Sequence, residues 1–237
     1  MLLGRGQLLN VSRINVGYGH AMVLHDVSLE IKKGEMVFIV GRNGAGKTTL
    51  LKAISGIMKP ANGAITYDGT DTLGLSAEKL ARRGIRFVAQ DKKVFTHLTV
   101  RDNLQLAAYA SGAKMSDAVQ KATSIYPDLS RFMESKAGGL SGGQREILLI
   151  GRALVGSPRL LLIDEPTEGL AAIVIEDIIR ILNQLKTENV SAIIVEQNLS
   201  LVNRLADRIY VMKEGKIIKE IADQSEMEDT SDLENYL

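Results

Sequence analysis

A glycine-rich segment between a predicted strand and a predicted helix constrains this chain more than any other feature. Residues Gly41 to Thr48 have the sequence Gly-Arg-Asn-Gly-Ala-Gly-Lys-Thr. The apolar run Glu35 to Val40 precedes the segment and predicts a buried strand, and Thr48 to Ser55 predicts a helix directly after it. A strand that leads through a glycine-rich turn into a helix indicates an α/β fold with a phosphate site at the turn.

The residue types in this loop predict binding of a nucleoside triphosphate with Mg²⁺. Gly41, Gly44 and Gly46 lack a Cβ, so their backbone amides can approach phosphate oxygens without a clash. Lys47 would reach the β- and γ-phosphates, and the hydroxyl of Thr48 would ligate Mg²⁺. A chance glycine-rich turn is the alternative, which the flanking strand and helix disfavour. The remaining residues of the loop and of the first helical turn that we expect to bind the nucleotide are Asn43, Ala45 and Thr49.

A second apolar run ends in two acids. Arg159 to Ile163 predicts a fully buried parallel strand, and Asp164 and Glu165 follow at its carboxyl end, where open α/β sheets bind ligands. We expect Asp164 to hold Mg²⁺, either directly or through a water bound to the ion. Glu165 should leave the other side of the strand axis and take a proton from an attacking water. By itself the acid pair could also be a solvated loop entry.

The pentapeptide Leu-Ser-Gly-Gly-Gln, at residues 140–144, lies between these two segments. With them it resembles the ATP-binding cassette family over about Leu8 to Ile221. The resemblance implies ATP as the nucleotide, and two cassettes that face each other head to tail. Each ATP would lie between one phosphate loop and the other cassette's pentapeptide. Ser141 can cap a helix predicted from Gly142 to Val155, whose positive end would face a γ-phosphate. The alternative is an ordinary helix start. The residues implied to bind ATP here are Ser141, Gly142, Gly143 and Gln144.

Two further positions resemble the family more loosely. Tyr18 resembles the aromatic residue on which adenine stacks, although a single tyrosine could equally belong to the core. Gln90 follows the predicted strand Ile85 to Ala89 and resembles the glutamine that contacts Mg²⁺ or water and reports the nucleotide state to the membrane subunit. The alternative for Gln90 is a solvated turn residue.

Two positions depart from the family pattern. Gln197 stands where most cassettes carry a histidine, and its amide can donate to a γ-phosphate but cannot gain a proton. Ala171 stands where many carry an aspartate that couples the two sites. These departures leave vigorous hydrolysis and intersite coupling open. We assign Gln197, with Glu165 and Gln90, to the predicted catalytic residues.

Three segments resemble the ATPases of branched-chain amino acid importers: residues 94–104, 150–154 and 195–198. Importers of urea and short amides look similar, and residues 165–170 lean slightly towards them. The resemblance implies integral membrane permease subunits and, indirectly, a substrate-binding protein as partners. A second, different cassette could supply the histidine that this chain lacks. The chain would then act at the cytoplasmic, inner face of the cell membrane.

Composition excludes several other classes. The 237 residues are 45% hydrophobic and 24% charged, which predicts one domain over residues 1–237 that buries a sizeable core. No stretch approaches the roughly 20 apolar residues of a membrane helix, and we expect no signal peptide, so the chain cannot be the pore. There is no cysteine, and the three histidines are scattered. A net charge of +1 argues against nucleic acid as a partner.

The fold class predicted by these patterns is a P-loop NTPase core with a mainly parallel sheet, a small antiparallel β layer and a helical lobe. Strand-like runs at Leu8 to Val16, Val27 to Ile31 and Ala64 to Tyr67 predict the antiparallel layer. The lobe should span about residues 91–150. One helix is predicted just before the lobe, over Ser76 to Arg83. Two more are predicted within it: Val100 to Ala110, with a capping box of Thr99 and Asp102, and Ser116 to Tyr126.

The resemblance places the docking site of the membrane subunit at residues 90–104. Val94, Phe95 and Leu98 are then candidates for exposed contacts, with core packing as the alternative. Beyond the acids, an amphipathic helix is expected over Ala171 to Leu185. The remaining predicted strands are Ser191 to Val195, Arg208 to Met212 and Ile217 to Ile221, and we expect a solvated acidic tail over about residues 223–237.

Two other functions stay open at this point. A soluble cassette acting on DNA or ribosomes would need an insertion, a tandem cassette or a basic patch, and the sequence shows none of these. A nucleotide-gated clamp that hydrolyses ATP weakly is compatible with Gln197, although Glu165 argues against its extreme form.

Overall fold

The computed structural model of the chain describes residues 6–91, 94–222 and Leu233. A six-stranded sheet forms its centre, and four neighbouring strands, β3, β8, β7 and β6, run parallel. In spatial order the strands are β10 (Lys216–Ile221), β9 (Arg208–Lys213), β3 (Met36–Val40), β8 (Ser191–Val195), β7 (Leu160–Asp164) and β6 (Ile85–Val88). The strand β9 also pairs parallel to β3, and β10 closes the sheet as an antiparallel edge.

The central strands are apolar on both faces because both faces are covered. Every residue of β3 is buried. Val37 and Ile39 pack into a cluster with the helix α1 (Lys47–Ile54), whereas Phe38 packs into a second cluster with α6 (Ala172–Thr187) and α7 (Leu199–Leu205). Such burial stabilises the fold by about 1.5–3 kcal/mol for each large apolar side chain.

A smaller antiparallel sheet lies beside this core, as predicted. Its strand order is β2-β1-β4-β5, with β1 (Gln7–Tyr18), β2 (Ala21–Lys32), β4 (Asn62–Tyr67) and β5 (Thr70–Asp71). An ion pair of 2.7 Å from Arg159 Nη1 to Asp68 Oδ2 joins the β4–β5 turn of this layer to the segment that enters β7. Lys33 Nζ approaches the other oxygen of Asp68 at 3.3 Å.

The helical lobe has a core of its own. It consists mainly of α3 (Val100–Ser111), α4 (Met115–Ile125) and α5 (Gly142–Leu154), which share a third apolar cluster. The capping box of Thr99 and Asp102 is confirmed at the start of α3. The prediction that Val94 is exposed is wrong, because its side chain is 8% exposed and packs in this cluster. Phe95 and Leu98 are exposed.

The other boundaries differ from the predictions by a few residues. The short helix α2 (Ala77–Arg82) begins after its N-cap Ser76, and α7 was not predicted at all. Most of the predicted acidic tail lies outside the described residues, but Leu233 is buried against the α6 side of the core. Among the described helices none combines the length and the apolar character needed to cross a membrane.

Candidate functional site

Four loops converge at one edge of the central sheet. They follow β3, β8, β7 and β6, which are neighbours and run in the same direction. Their carboxyl ends therefore lie side by side, the usual position of a ligand site in an open parallel sheet. Each loop carries predicted site residues: Lys47, Gln197, Glu165 and Gln90.

The glycine-rich loop has the backbone that a phosphate cradle requires. Gly41, Gly44 and Gly46 all have positive φ, at 152°, 82° and 102°. A Cβ on Gly41 would lie 2.1 Å from the carbonyl oxygen of Met212, so only glycine fits there. Gly46 precedes α1 and has no side chain to cap it, so the first amides of the helix stay available for an anion. A cavity of about 340 Å³ adjoins the loop at Asn43 and Ala45.

Lys47 folds back over this loop. Its Nζ donates hydrogen bonds to the carbonyl oxygens of Gly41 (2.5 Å) and Arg42 (3.2 Å) and lies 3.6 Å from Glu165 Oε1. Burial lowers the pKa of Lys47, and the nearby Glu165 raises it in part. The ammonium group is thus held at the point where phosphate oxygens would meet the loop amides.

Asp164, at the end of β7, has a carboxyl group that suits a cation. Neither of its oxygens has a hydrogen-bond partner among the described residues, although the side chain is buried. Burial raises the pKa of Asp164, and the hydroxyl of Thr48, which faces it without a hydrogen bond of good geometry, lowers this pKa in part. A buried carboxyl group without a partner is costly unless a cation or proton joins it. Asp164 and Thr48 therefore fit a divalent metal such as Mg²⁺.

Glu165 lies beyond the end of β7, so the alternation of side chains along the strand does not set its direction. The prediction that the strand directs its side chain is therefore wrong. The strand ends at Asp164, and Glu165 has a φ of +49°, in the left-handed region. Its backbone N–H donates to the carbonyl oxygen of Val195 at 3.0 Å, which ties the turn to β8. A non-glycine residue in this region usually marks a constrained position. The turn, rather than strand pleating, directs the carboxylate towards Lys47.

Two glutamines hold the Glu165 carboxylate, one at each oxygen. Gln197 Nε2 donates to Oε1 at 2.9 Å, and Gln90 Nε2 donates to Oε2 at 2.9 Å. Gln197 also donates to Asn43 Oδ1 at 2.8 Å, and Gln90 to Glu168 Oε2 at 3.0 Å. The structure therefore brings the three residues predicted as catalytic into direct contact.

The pentapeptide residues start α5 on the helical lobe, and their hydrogen bonds remain within that turn. Ser141 Oγ accepts from the backbone N–H of Gln144 at 3.2 Å, and Gln144 Oε1 accepts from that of Ser141 at 2.9 Å. The predicted cap by Ser141 is confirmed. Gly143 is required here because a Cβ would lie 2.5 Å from Val174. Within the described residues no hydrogen bond joins Ser141 or Gln144 to the glycine-rich loop.

Tyr18 lies at the end of β1, next to the hairpin turn into β2. Its side chain is 52% exposed, so the alternative that it belongs to the core is wrong. An exposed ring of this kind can stack on a planar base.

Glu196 and Thr167 belong to the site but were not predicted. Glu196 is 2% exposed and accepts hydrogen bonds from Thr167 and from the backbone of the Gln197 loop. The signal was present: Glu196 follows the apolar strand β8 as Asp164 ends β7, and an acid in that position points to the same sheet edge.

Comparisons with known proteins identify relatives of this chain. The family model described as "ABC transporter" matches residues 24–168. A high-affinity branched-chain amino acid transport ATP-binding protein of Pseudomonas aeruginosa is 42% identical, covering 89% of this chain and 91% of its own. A probable branched-chain amino acid transport ATP-binding protein of Archaeoglobus fulgidus is 36% identical, covering 76% and 78%.

Solved structures have the same fold. A nucleotide-free ATP-binding cassette from an ABC transporter superposes with a TM-score of 0.85 at 29% identity, covering 96% of both chains. A bacterial ABC transporter cassette solved as a dimer gives a TM-score of 0.81 at 29% identity, covering 91% of this chain and 98% of its own.

Proposed function

Because the chain belongs to the ABC transporter family of ATP-binding proteins, we propose that it hydrolyses ATP to drive an importer of branched-chain amino acids. The observation that carries the proposal is the position of the Glu165 carboxylate. It lies 3.6 Å from Lys47 and directly follows Asp164, whose oxygens have no hydrogen-bond partner in the described part of the chain. A base, a phosphate-binding cation and a metal ligand are the parts that phosphoryl transfer to water requires.

Binding of ATP would begin at the glycine-rich loop. The amides of residues 41–49 would surround the β- and γ-phosphates, and the ammonium group of Lys47 would exchange its two carbonyl partners for phosphate oxygens. Exposed Tyr18 would stack on the adenine ring. In this state Lys47 would neutralise part of the phosphate charge without any rearrangement of the backbone.

Asp164 and Thr48 would hold Mg²⁺ when ATP is bound. The ion supplies neutralisation of charge on the phosphate oxygens. The support for these ligands is the burial of Asp164 beside Thr48 without a hydrogen-bond partner among the described residues. Gln90 is exposed at the same edge and could join them after release of Glu165.

Glu165 would take the proton from the attacking water. Both of its oxygens accept hydrogen bonds from glutamine amides. Each oxygen accepts only one of these bonds and keeps a second lone pair, so a water could donate to the carboxylate beside the amides. General-base catalysis of this kind contributes about 10²- to 10⁴-fold to the rate. The two amides would therefore hold the base in place while it accepts the proton.

A second cassette would complete each ATP site. The first turn of α5 exposes Ser141 and Gly142, and its hydrogen bonds leave the outward side of the turn available. A related cassette forms a dimer in its solved structure. We propose that Ser141, Gly142, Gly143 and Gln144 face the γ-phosphate bound by the other cassette. If that cassette is a different chain, it could bring the histidine absent at position 197.

A cleft of about 690 Å³ suits a helix from a membrane permease. It runs between β6, α2 and the lobe helices α3 and α5, and charged side chains such as Arg82 line it. Tyr109 at the cleft is 89% exposed, and the ring of neighbouring Phe95, 49% exposed, lies 4.9 Å from the guanidinium carbon of Arg152. Exposed aromatic rings beside a charged cleft are typical of docking sites. The chain would then sit on the cytoplasmic face of the membrane, with a substrate-binding protein as an indirect partner.

Measurement of ATP turnover with Mg²⁺ tests the enzymatic part. Lys47→Ala should abolish turnover and ATP binding, whereas Lys59→Ala, an exposed lysine beyond the end of α1, should change neither. Turnover that survives in Lys47→Ala would refute the proposed site.

A measurement of uptake tests which cargo the importer carries. Vesicles that enclose the chain and ATP, with its permeases in the membrane and the binding protein outside, should accumulate leucine, isoleucine or valine. Uptake of urea or acetamide instead of these amino acids would reassign the cargo and leave the ATPase assignment intact.

A further inference from the structure

The buried carboxyl group of Glu196 joins two loops of the site. It accepts four hydrogen bonds from three residues of these loops. Its Oε1 accepts from the backbone N–H of Thr167 at 3.0 Å and from the Thr167 hydroxyl at 2.5 Å. Its Oε2 accepts from the backbone N–H groups of Gln197 at 2.8 Å and Asn198 at 3.0 Å.

One of the two loops carries Glu165, and the other carries Gln197, whose side chain donates a hydrogen bond to it. Thr167 comes two residues after Glu165, in the segment that leads to α6. Gln197 donates its side-chain amide to Glu165 and to Asn43 of the glycine-rich loop. Glu196 thus fixes the backbone on both sides of the Glu165–Gln197 hydrogen bond.

The alternative connection through side chains of the same segment is weak. Ala171, where the segment meets α6, has only a methyl group, so it cannot form a side-chain hydrogen bond. Thr167 is 6% exposed, and its hydroxyl and backbone both donate to Glu196. Hydrogen bonds to a carboxylate are short and strong, so Glu196 links the segment firmly to the backbone of Gln197.

We propose that Glu196 is a positioning residue that couples the Thr167–Ala171 segment to Gln197, so that movement of the segment changes the hold of Gln197 on Glu165. The hydrogen bonds of Glu196 go to Thr167, Gln197 and Asn198, so it would act on Glu165 through Gln197. The α6 end of the segment leads to Ile173, which is 73% exposed and lies close to the Val174 that packs on Gly143. A second cassette that contacts the segment near Ile173 would therefore affect the position of Glu165. The proposal rests on the proposed function.

Two variants of the connection and one matched control test it. Glu196→Gln keeps the shape, but its amide nitrogen cannot accept, so two of the four bonds are lost and the other two are weakened. Thr167→Val removes the hydroxyl alone, and Thr167→Ser keeps it. Glu35→Gln is the control: Glu35 is 5% exposed and accepts hydrogen bonds from the backbone of Lys32 and from Arg208, outside the four site loops. We expect Glu196→Gln to lower kcat about tenfold with KM for ATP changed less than about twofold. Glu35→Gln should lower Tm and keep kcat.

A double-mutant cycle separates positioning from general damage. Gln197→Ala should have almost no further effect on kcat in the Glu196→Gln background, whereas Gln90→Ala should have its full effect there, because its contact to Glu165 does not pass through Glu196. Additive effects of Glu196→Gln and Gln197→Ala, or a loss of kcat in Glu35→Gln equal to that in Glu196→Gln, would overturn the proposal.

Hydrogen exchange gives a readout that does not need turnover. Mg²⁺ and ATP should slow amide exchange in residues 41–49 and in residues 165–171 of the unsubstituted chain. In Glu196→Gln the first effect should persist and the second should shrink at least about threefold, because the segment is uncoupled. Equal protection of residues 165–171 in both proteins would contradict the coupling, even where turnover is absent in both. Absence of turnover together with absence of ATP binding would instead contradict the proposed function.

Discussion

The side-chain amide of Gln197 donates a hydrogen bond of 2.9 Å to Glu165 Oε1. The two residues follow the neighbouring strands β8 and β7 and are 32 positions apart in the chain. An amide donor holds the carboxylate in place but cannot gain or lose a proton near pH 7. Within the part of the chain that the structure describes, the Glu165 carboxylate therefore accepts from a neutral amide at each oxygen, and the ammonium group of Lys47 lies 3.6 Å from Oε1.

Replacement of the base should separate binding from hydrolysis. Glu165→Gln keeps the size of the side chain but removes its ability to accept a proton, so we expect kcat to fall by at least about 10²-fold. ATP affinity should be retained because Lys47 and the loop amides are unchanged. Single-turnover kinetics and size-exclusion chromatography in ATP should show an ATP-bound dimer that does not turn over. The exposed Glu78→Gln is the control, and turnover retained by Glu165→Gln would assign the base elsewhere.

A histidine at position 197 should restore a titratable neighbour. Gln197→His can still donate to Glu165 from the end of β8, and its imidazole would change charge near pH 6.5. We expect a higher kcat and a new pH dependence between about pH 5.5 and 7.5. The pH–rate profile of both proteins measures this. An identical rate and profile would mean that the second cassette, or another part of the site, limits turnover.

The cap of α5 offers a test of the dimer with an internal control. Ser141→Ala should cost about 1 kcal/mol of stability through the lost cap. It should also weaken ATP-induced dimerisation while ATP binding by the monomer persists. Thr99→Ala removes the equivalent capping box of α3 in the same lobe and should have a similar effect on stability alone. Analytical ultracentrifugation with ATP compares the two, and equal dimerisation would contradict the role of Ser141.

The ion pair between the two sheets predicts how acid affects stability. The hydrogen bonds from Arg159 and then Lys33 lower the pKa of Asp68 to about 2, below its value in the unfolded chain. A carboxyl group with a lowered pKa stabilises the fold above its unfolded pKa, and this contribution is lost as pH falls towards 2. Asp68→Asn should therefore reduce the fall in Tm between pH 5 and pH 2. Asparagine accepts the φ of +49° found here, so the backbone should persist.

A reciprocal variant checks the assignment of that pH dependence. Arg159→Met removes the first partner of Asp68, so it should also reduce the fall in Tm between pH 5 and pH 2. A pH dependence that both variants leave unchanged would show that other groups control acid stability.

Much of the site followed from local patterns. The glycine-rich loop with Lys47, the strand that ends in Asp164 and the cap at Ser141 are each specified within about ten consecutive residues. Their physical causes are also local: positive φ at glycine, burial of a short apolar strand, and satisfaction of the first helical amides. For the same reason the capping box of α3 was predicted correctly.

The direction of the Glu165 side chain, and the residues that contact it, could not be predicted from local patterns. A left-handed residue after β7, tied to the carbonyl of Val195, turns the carboxylate into the site. The amides of Gln90 and Gln197 reach it only because β6, β7 and β8 are neighbours in the sheet.

Local sequence therefore predicted which residues would carry the chemistry and at which sheet edge they lie. Packing of strands distant in the chain established which of them touch, as in the contact of Glu196 with Thr167 across 29 positions. Periodicity reports only neighbours along one element, whereas these hydrogen bonds depend on strand order and on the backbone of two separate turns.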